Sequence, residues 1–276
     1  MSTVKKSVVF LYRSDSSGQH PTIPLGTAFI VQVPLKSDPS KAYNLLVTAR
    51  HVIDPQWACE PEPNPSRVFA RLNLARFDSA HDDTGTGIFP LTLVRQGSDQ
   101  NVFTSLDESV DAAVILVRQR DWLKDYDYSS IFLSDFANTD ELNSLTEGYD
   151  IVSAGLLPAF VGDHRNYPIF KFGHIAAIPN ERIIYQCPDG RTKRLWFWFV
   201  AINLVGGNSG SPVVLSPPLY PGSSITRASL IGLQSLSFGG VDVAGMTPAK
   251  YIFEIIAGIG LPDANLYRGS VKDAKP

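Results

Sequence analysis

The chain has 276 residues, 44% hydrophobic and 18% charged, enough apolar material for one large core or two joined ones, which excludes a largely disordered polypeptide. Its formal net charge is −3, and Lys and Arg are scattered rather than gathered into a patch, so nucleic acid is not an expected partner. No apolar stretch approaches the roughly 20 residues of a membrane span, and the run from Val8 to Tyr12 is too short for the apolar region of a signal peptide. A membrane is therefore not an expected partner either.

In chain order, short β-rich runs recur between clusters of Gly, Pro, Asn and Asp. The first half carries SVVFLY, TAFIVQV, YNLLVTA, LTLVRQ and DAAVILV; the second carries YDIVSAGLL, IFKFGHIAAI, LWFWFVAI, SPVVLS and ASLIGLQSL. Strands in this succession, without alternating helices, predict an all-β sandwich or barrel. The polar stretch SDFANTDELNSLTE at 134–147 has no strand periodicity and reads as the connection between two halves, residues 1–140 and residues 141–276. One C-terminal helix is predicted in TPAKYIFEIIAGIG, with Pro248 near its start and glycines near its end. LSPPLYPGSS at 215–224 reads as a loop. Cys59 and Cys187 are far apart and lack metal-ligand spacing, so they predict two inert thiols and a reducing, cytoplasmic location.

The stretch GGNSGSPVV, residues 206–214, surrounds Ser209 with three glycines. Glycine is kept where φ is positive or where something must approach the backbone closely, so this is a tight turn with a purpose. A serine hydroxyl becomes a nucleophile only beside a base that is itself oriented by a third group. Of the five histidines, His51 is the best placed, at the end of the apolar strand in NLLVTARHVID. His20 and His81 fall in polar loops, His164 lies in GDHRN, and His174 reads as a structural strand residue. Asp111 opens the apolar run DAAVILV, which would draw it inward, and an isolated buried carboxylate is costly unless it accepts hydrogen bonds. Asp107 and Glu108 read as solvated loop acids. The triplet HDD at 81–83 reads as loop rather than metal site, and LWFWFV as core.

His51, Asp111 and Ser209 follow the chain order of the chymotrypsin type of triad. VTARHV, VDAAVILV and GNSGSP resemble the histidine, aspartate and serine motifs of trypsin-like serine peptidases, and GTAFIV at 26–31 resembles the strand that precedes the histidine. AINLVGGNSGSPVV is most similar to the disulfide-free, HtrA-type branch. The resemblance spans about residues 20–257. It implies two six-stranded-type β-barrels packed together, with His51 and Asp111 in the first and Ser209 in the second. It implies a serine endopeptidase that works through an acyl-enzyme and needs neither metal nor cofactor. It further implies an oxyanion hole from the N–H groups of Gly207 and Ser209, and a supporting role for Ser235. Peptide substrate would pair along Ser235, Leu236 and Ser237, with Asn203 at the base of the pocket for the residue before the scissile bond. An uncharged Asn203 disfavours trypsin-type cleavage.

Departures from the pattern carry expectations of their own. Asn208 stands where zymogen-activated members carry an aspartate, so activation by N-terminal cleavage is not expected. Arg50 replaces a usual small residue and is expected to face solvent. With no PDZ-like extension in the chain, control is expected from a regulatory protein in trans. The competing reading is a latent or inactive protease-fold module that only binds peptide. Other hydrolase classes fail on motif: the fifth position of the nucleophile elbow is Ser211 rather than Gly, and H-E-x-x-H is absent.

Overall fold

The computed structural model describes residues 1–14, 21–54, 57–58, 67–77, 84–118, 122–187, 189–203, 206–216, 228–238 and 242–266. His20, Cys59, the HDD triplet and most of the 215–224 loop lie outside them.

The first half begins with a short helix, α1 (Ser2–Ser7), and continues through β1 (Val8–Ser14), β2 (Pro21–Pro34) and β3 (Ala42–Thr48). A four-residue helix, α2 (Arg50–Ile53), precedes β4 (Val68–Asn73), β5 (Thr86–Leu91), β6 (Val102–Thr104), β7 (Ala113–Leu116) and β8 (Ile131–Phe132). These strands form one sheet in the order β5-β4-β1-β2-β3-β7-β6, with β8 added parallel to β2. The strand ladder does not close among the described residues, so this half departs from a closed six-stranded barrel. Its open ends are joined instead by the Val94 carbonyl, which accepts from Asn101 N–H at 2.9 Å and Val102 N–H at 3.0 Å.

The second half holds α3 (Thr139–Asn143), β9 (Asp150–Gly155), β10 (Ile169–Ala177), β11 (Ile183–Gln186), β12 (Thr192–Leu195), β13 (Trp198–Ala201), β14 (Pro212–Leu215), β15 (Leu230–Ser237), β16 (Val243–Pro248) and α4 (Ala249–Gly258). Six of its strands close a barrel, β10-β13-β16-β15-β14-β9, while β11 and β12 form a separate hairpin. The fold is all-β, with α4 as the predicted C-terminal helix.

Packing explains why the halves stay together. One apolar cluster runs from Phe10, Phe29 and Ile115 of the sheet to Leu156 of the barrel half and Ile252 and Ile256 of α4. A second, including Ile175, Val200 and Met246, fills the barrel. Removal of such apolar surface from water is the main stabilising term, at about 25 cal/mol per Å². Among the described residues no helix is long and apolar enough to cross a membrane.

Seven strands, β4, β5, β6, β8, β11, β12 and β16, were not among the runs expected from the sequence. LTLVRQ was the expected strand, but pairing occurs upstream at Thr86–Leu91, where Pro90 would have argued against it. β5 is an edge strand, and an edge tolerates a residue without an N–H donor.

Candidate active site

β3 carries the chain out of the core into α2, whose second residue is His51. Asp111 lies two residues before β7, between Val110 and Ala112, both fully buried, and its own side chain is 1% exposed. Three donors satisfy this carboxylate. The His51 backbone N–H reaches Oδ1 at 3.0 Å, the ring Nδ1–H reaches Oδ2 at 2.7 Å, and the Ser235 hydroxyl donates to Oδ2. Because an ionised carboxylate only accepts, its partnership assigns the proton to Nδ1 and leaves Nε2 as the acceptor.

The electrostatics follow from this burial. Desolvation pushes the His51 pKa down, but the charge and hydrogen bond of Asp111 outweigh it, so the imidazole lies above its ordinary 6.5. Lys193 acts with desolvation, pulling it downward. Desolvation raises the Asp111 carboxyl, while the His51 charge and the bonds from His51 and Ser235 together bring it below its ordinary 3.8.

Ser209 occupies the turn before β14. Gly207 has φ +89° and Gly210 has φ +87°, the region that side chains disfavour. A β-carbon on Gly210 would come within 2.0 Å of the Thr27 carbonyl oxygen, so only glycine lets the turn press against β2. Thr27 fixes that contact: its N–H donates to the Ser209 carbonyl at 2.8 Å and its hydroxyl donates to the Gly207 carbonyl at 2.8 Å. With those carbonyls turned toward the first sheet, the N–H groups of Gly207 and Ser209 have no acceptor among the described residues. Asn208 is buried; its amide donates to the Leu156 carbonyl at 2.7 Å, and its oxygen accepts from Lys171 at 2.8 Å. The same ammonium donates to the Asn203 carbonyl at 2.7 Å, tying Asn203 to Asn208.

His51 and Ser209 face one cleft of about 280 Å³, which Ser235, Leu236 and Ser237 also line. Among the described residues the Ser209 hydroxyl has no hydrogen-bond partner, so it is not joined to the imidazole in this structure. Asn203 does not line the cleft; it is exposed, with its carbonyl turned to Lys171.

The opposite wall went unread in the sequence. It comprises Trp57 and Ala58 together with Tyr185, Lys193 and Leu195 of the β11–β12 hairpin. The signal was present as Asp189-Gly190 between IIYQ and TKRL, a turn dipeptide flanked by strand-forming residues. Arg50 is buried rather than solvent-facing. It pairs with Asp54 at 3.0 Å and with Glu108 at 2.9 Å, which gives a long cation local partners that solvent would otherwise supply. Asp107 is likewise engaged, by Ser109 and Arg182. His174 pairs on the surface with Asp150 at 2.8 Å. Cys187 is disulfide-bonded, not a free thiol; distance along a sequence does not measure distance in a fold. Disulfides persist in oxidising compartments, so the cysteines no longer argue for a cytoplasmic location.

No protein-family model and no curated protein matches the chain. Among solved structures it is similar to the Rv3671c protease from M. tuberculosis in its active form, at 14% identity and TM-score 0.51, over 98% of this chain and 87% of that one. The inactive form of the Rv3671c protease aligns at 15% identity and TM-score 0.47, over 94% and 92% of the two chains. The HtrA-type protease AlgW with a decapeptide aligns at 15% identity and TM-score 0.48, over 92% and 63%. In its strand-rich first half packed on a closed second barrel, the chain has the fold of the chymotrypsin-like serine proteases.

Proposed function

We propose that the chain is a serine endopeptidase in which Ser209 is the nucleophile, His51 the general base and then acid, and Asp111 the group that orients the imidazole. The observation that carries this reading is the buried Asp111 holding His51 at 2.7 Å on the wall of the cleft that Ser209 shares. Ser209 Oγ attacks the scissile carbonyl while Nε2 takes its proton. The imidazolium gives that proton to the departing amine, and water then cleaves the acyl-enzyme by the same route in reverse. As the carbonyl becomes an oxyanion, the unengaged N–H groups of Gly207 and Ser209 are its donors, a contribution of about 100- to 1000-fold per donor. Substrate is a protein or peptide in extended form. β15 supports this, since its pairing with β14 ends at Leu233, leaving one edge free along Ser235, Leu236 and Ser237 to take a further strand. Acyl transfer by this route draws on no metal or cofactor.

A fluorophosphonate probe tests the assignment. Covalent labelling of the whole protein that vanishes in Ser209→Ala is the expected result. The missing hydroxyl–imidazole hydrogen bond favours a second reading, a peptide-binding module with little turnover, although such bonds often tighten only when substrate binds. A folded protein that binds peptides but resists the probe under all conditions would establish the second reading instead.

A further inference from the structure

The cleft wall opposite β15 carries a cation that the triad chemistry does not use. Lys193 projects from β12 into the space shared with His51 and Ser209. Its ammonium donates to the Trp57 carbonyl and lies 3.6 Å from the centre of the Trp57 ring. No carboxylate is within ion-pair distance of it among the described residues. The nearby acids are committed elsewhere: Asp111 to His51 and Ser235, Glu108 to Arg50, and Asp189 to Arg191. Half-burial, with Arg191 and Arg50 nearby, lowers the Lys193 pKa against the pull of Asp111 and Glu108, which act on it from beyond ion-pair distance.

From this geometry we infer that Lys193, Trp57 and Leu236 form a subsite for an acidic side chain, an Asp or Glu of the peptide on the acyl side of the scissile bond. The inference rests on the peptide-cleft reading above. A peptide added along Leu236 and Ser237 has its residues before the scissile bond beside His51, where the hairpin faces it. The methylenes of an Asp or Glu would cover Trp57 and Leu236 while the carboxylate meets the ammonium. A charge-assisted pair in a partly desolvated site is stronger than one in water, whereas Lys or Arg at the same position would meet a like charge.

The test is cleavage profiling of the full-length protein with a peptide library randomised at the four positions before the scissile bond. Asp and Glu should be enriched at one of these positions, on the order of tenfold over Ala. Lys193→Met, which keeps the alkyl stem, should flatten that preference, and Lys193→Glu should reverse it toward Lys and Arg. A profile without acid enrichment, or one unchanged in Lys193→Glu, overturns the subsite. Anisotropy with matched acidic and neutral peptides on Ser209→Ala reads the subsite without turnover. Acid preference in binding that depends on Lys193, with no cleavage by the parent protein, would sink the peptidase and leave the subsite standing. Binding indifferent to Lys193 would sink the subsite whatever the cleavage result.

Discussion

Asp111 shows how much of the proposed chemistry depends on one side chain. Asp111→Asn keeps the shape but replaces the acceptor that assigns the proton to Nδ1, so kcat should fall about 10⁴-fold with KM little changed; steady-state kinetics on one peptide substrate check this. The pH dependence has a defined sign. In the proposed mechanism kcat/KM should fall as pH drops through the His51 pKa, because an imidazolium cannot accept the Ser209 proton. Asp111 sets that pKa above 6.5 and Lys193 opposes it, so Lys193→Met should move the acid limb of kcat/KM to higher pH. A limb that moves lower in that variant would contradict the electrostatics described. At this scale the sequence was informative where backbone demand and residue type coincide. Ser209 stands in a glycine turn that sheet contact requires, and Asp111 is drawn in by its apolar neighbours. It misled on Arg50, read as solvent-facing, and on Cys187, read as a thiol, because Glu108 and the disulfide partner reach them only in the fold.

The turn 206–211 and the β11–β12 hairpin are the elements that shape the cleft. Gly207→Ala would put a β-carbon 2.6 Å from Pro158 Cγ at φ +89°, so the turn must shift and its N–H groups with it. The expected loss is about 100- to 1000-fold in kcat with KM held, read by single-turnover acylation. Lys171 braces the same turn through Asn208 and Asn203. Lys171→Met should therefore slow fluorophosphonate labelling and speed amide exchange at Ser211, whose N–H is held by the Asn208 carbonyl at 2.9 Å; unchanged exchange would show that the brace is dispensable. Long apolar strands such as β2 and β3 were legible because burial on both faces leaves continuous hydrophobic runs. β5, β6, β8, β11 and β12 were not, since short, edge or solvent-facing strands mix polar residues and Pro into their pattern, and in the buried β4 and β16 Arg71, Gly245 and Thr247 interrupt the apolar run.

For the whole molecule, the decisive contacts cross between sheet and barrel. Thr27 is fully buried, and its hydroxyl both donates to Gly207 and accepts from the Leu156 N–H at 3.0 Å. Thr27→Val keeps the volume but strands both partners, at about 1–3 kcal/mol for each unsatisfied group. Calorimetry should show a melting temperature lower by several degrees, together with slower labelling of Ser209. The all-β class and the order of His51, Asp111 and Ser209 could be read along the chain. The open first sheet could not, because closure depends on register between β5 and β6 that no local run encodes.

α4 is among the last elements in the sequence, yet Ile252 and Ile256 complete an apolar cluster that begins at Phe10, and the helix packs against β6 and β7. A nascent chain leaving the ribosome therefore presents its first sheet with that face uncovered until residue 258 has emerged. The core of the first sheet is therefore incomplete without α4, and a chain cut before Ala249 should expose that apolar face and aggregate.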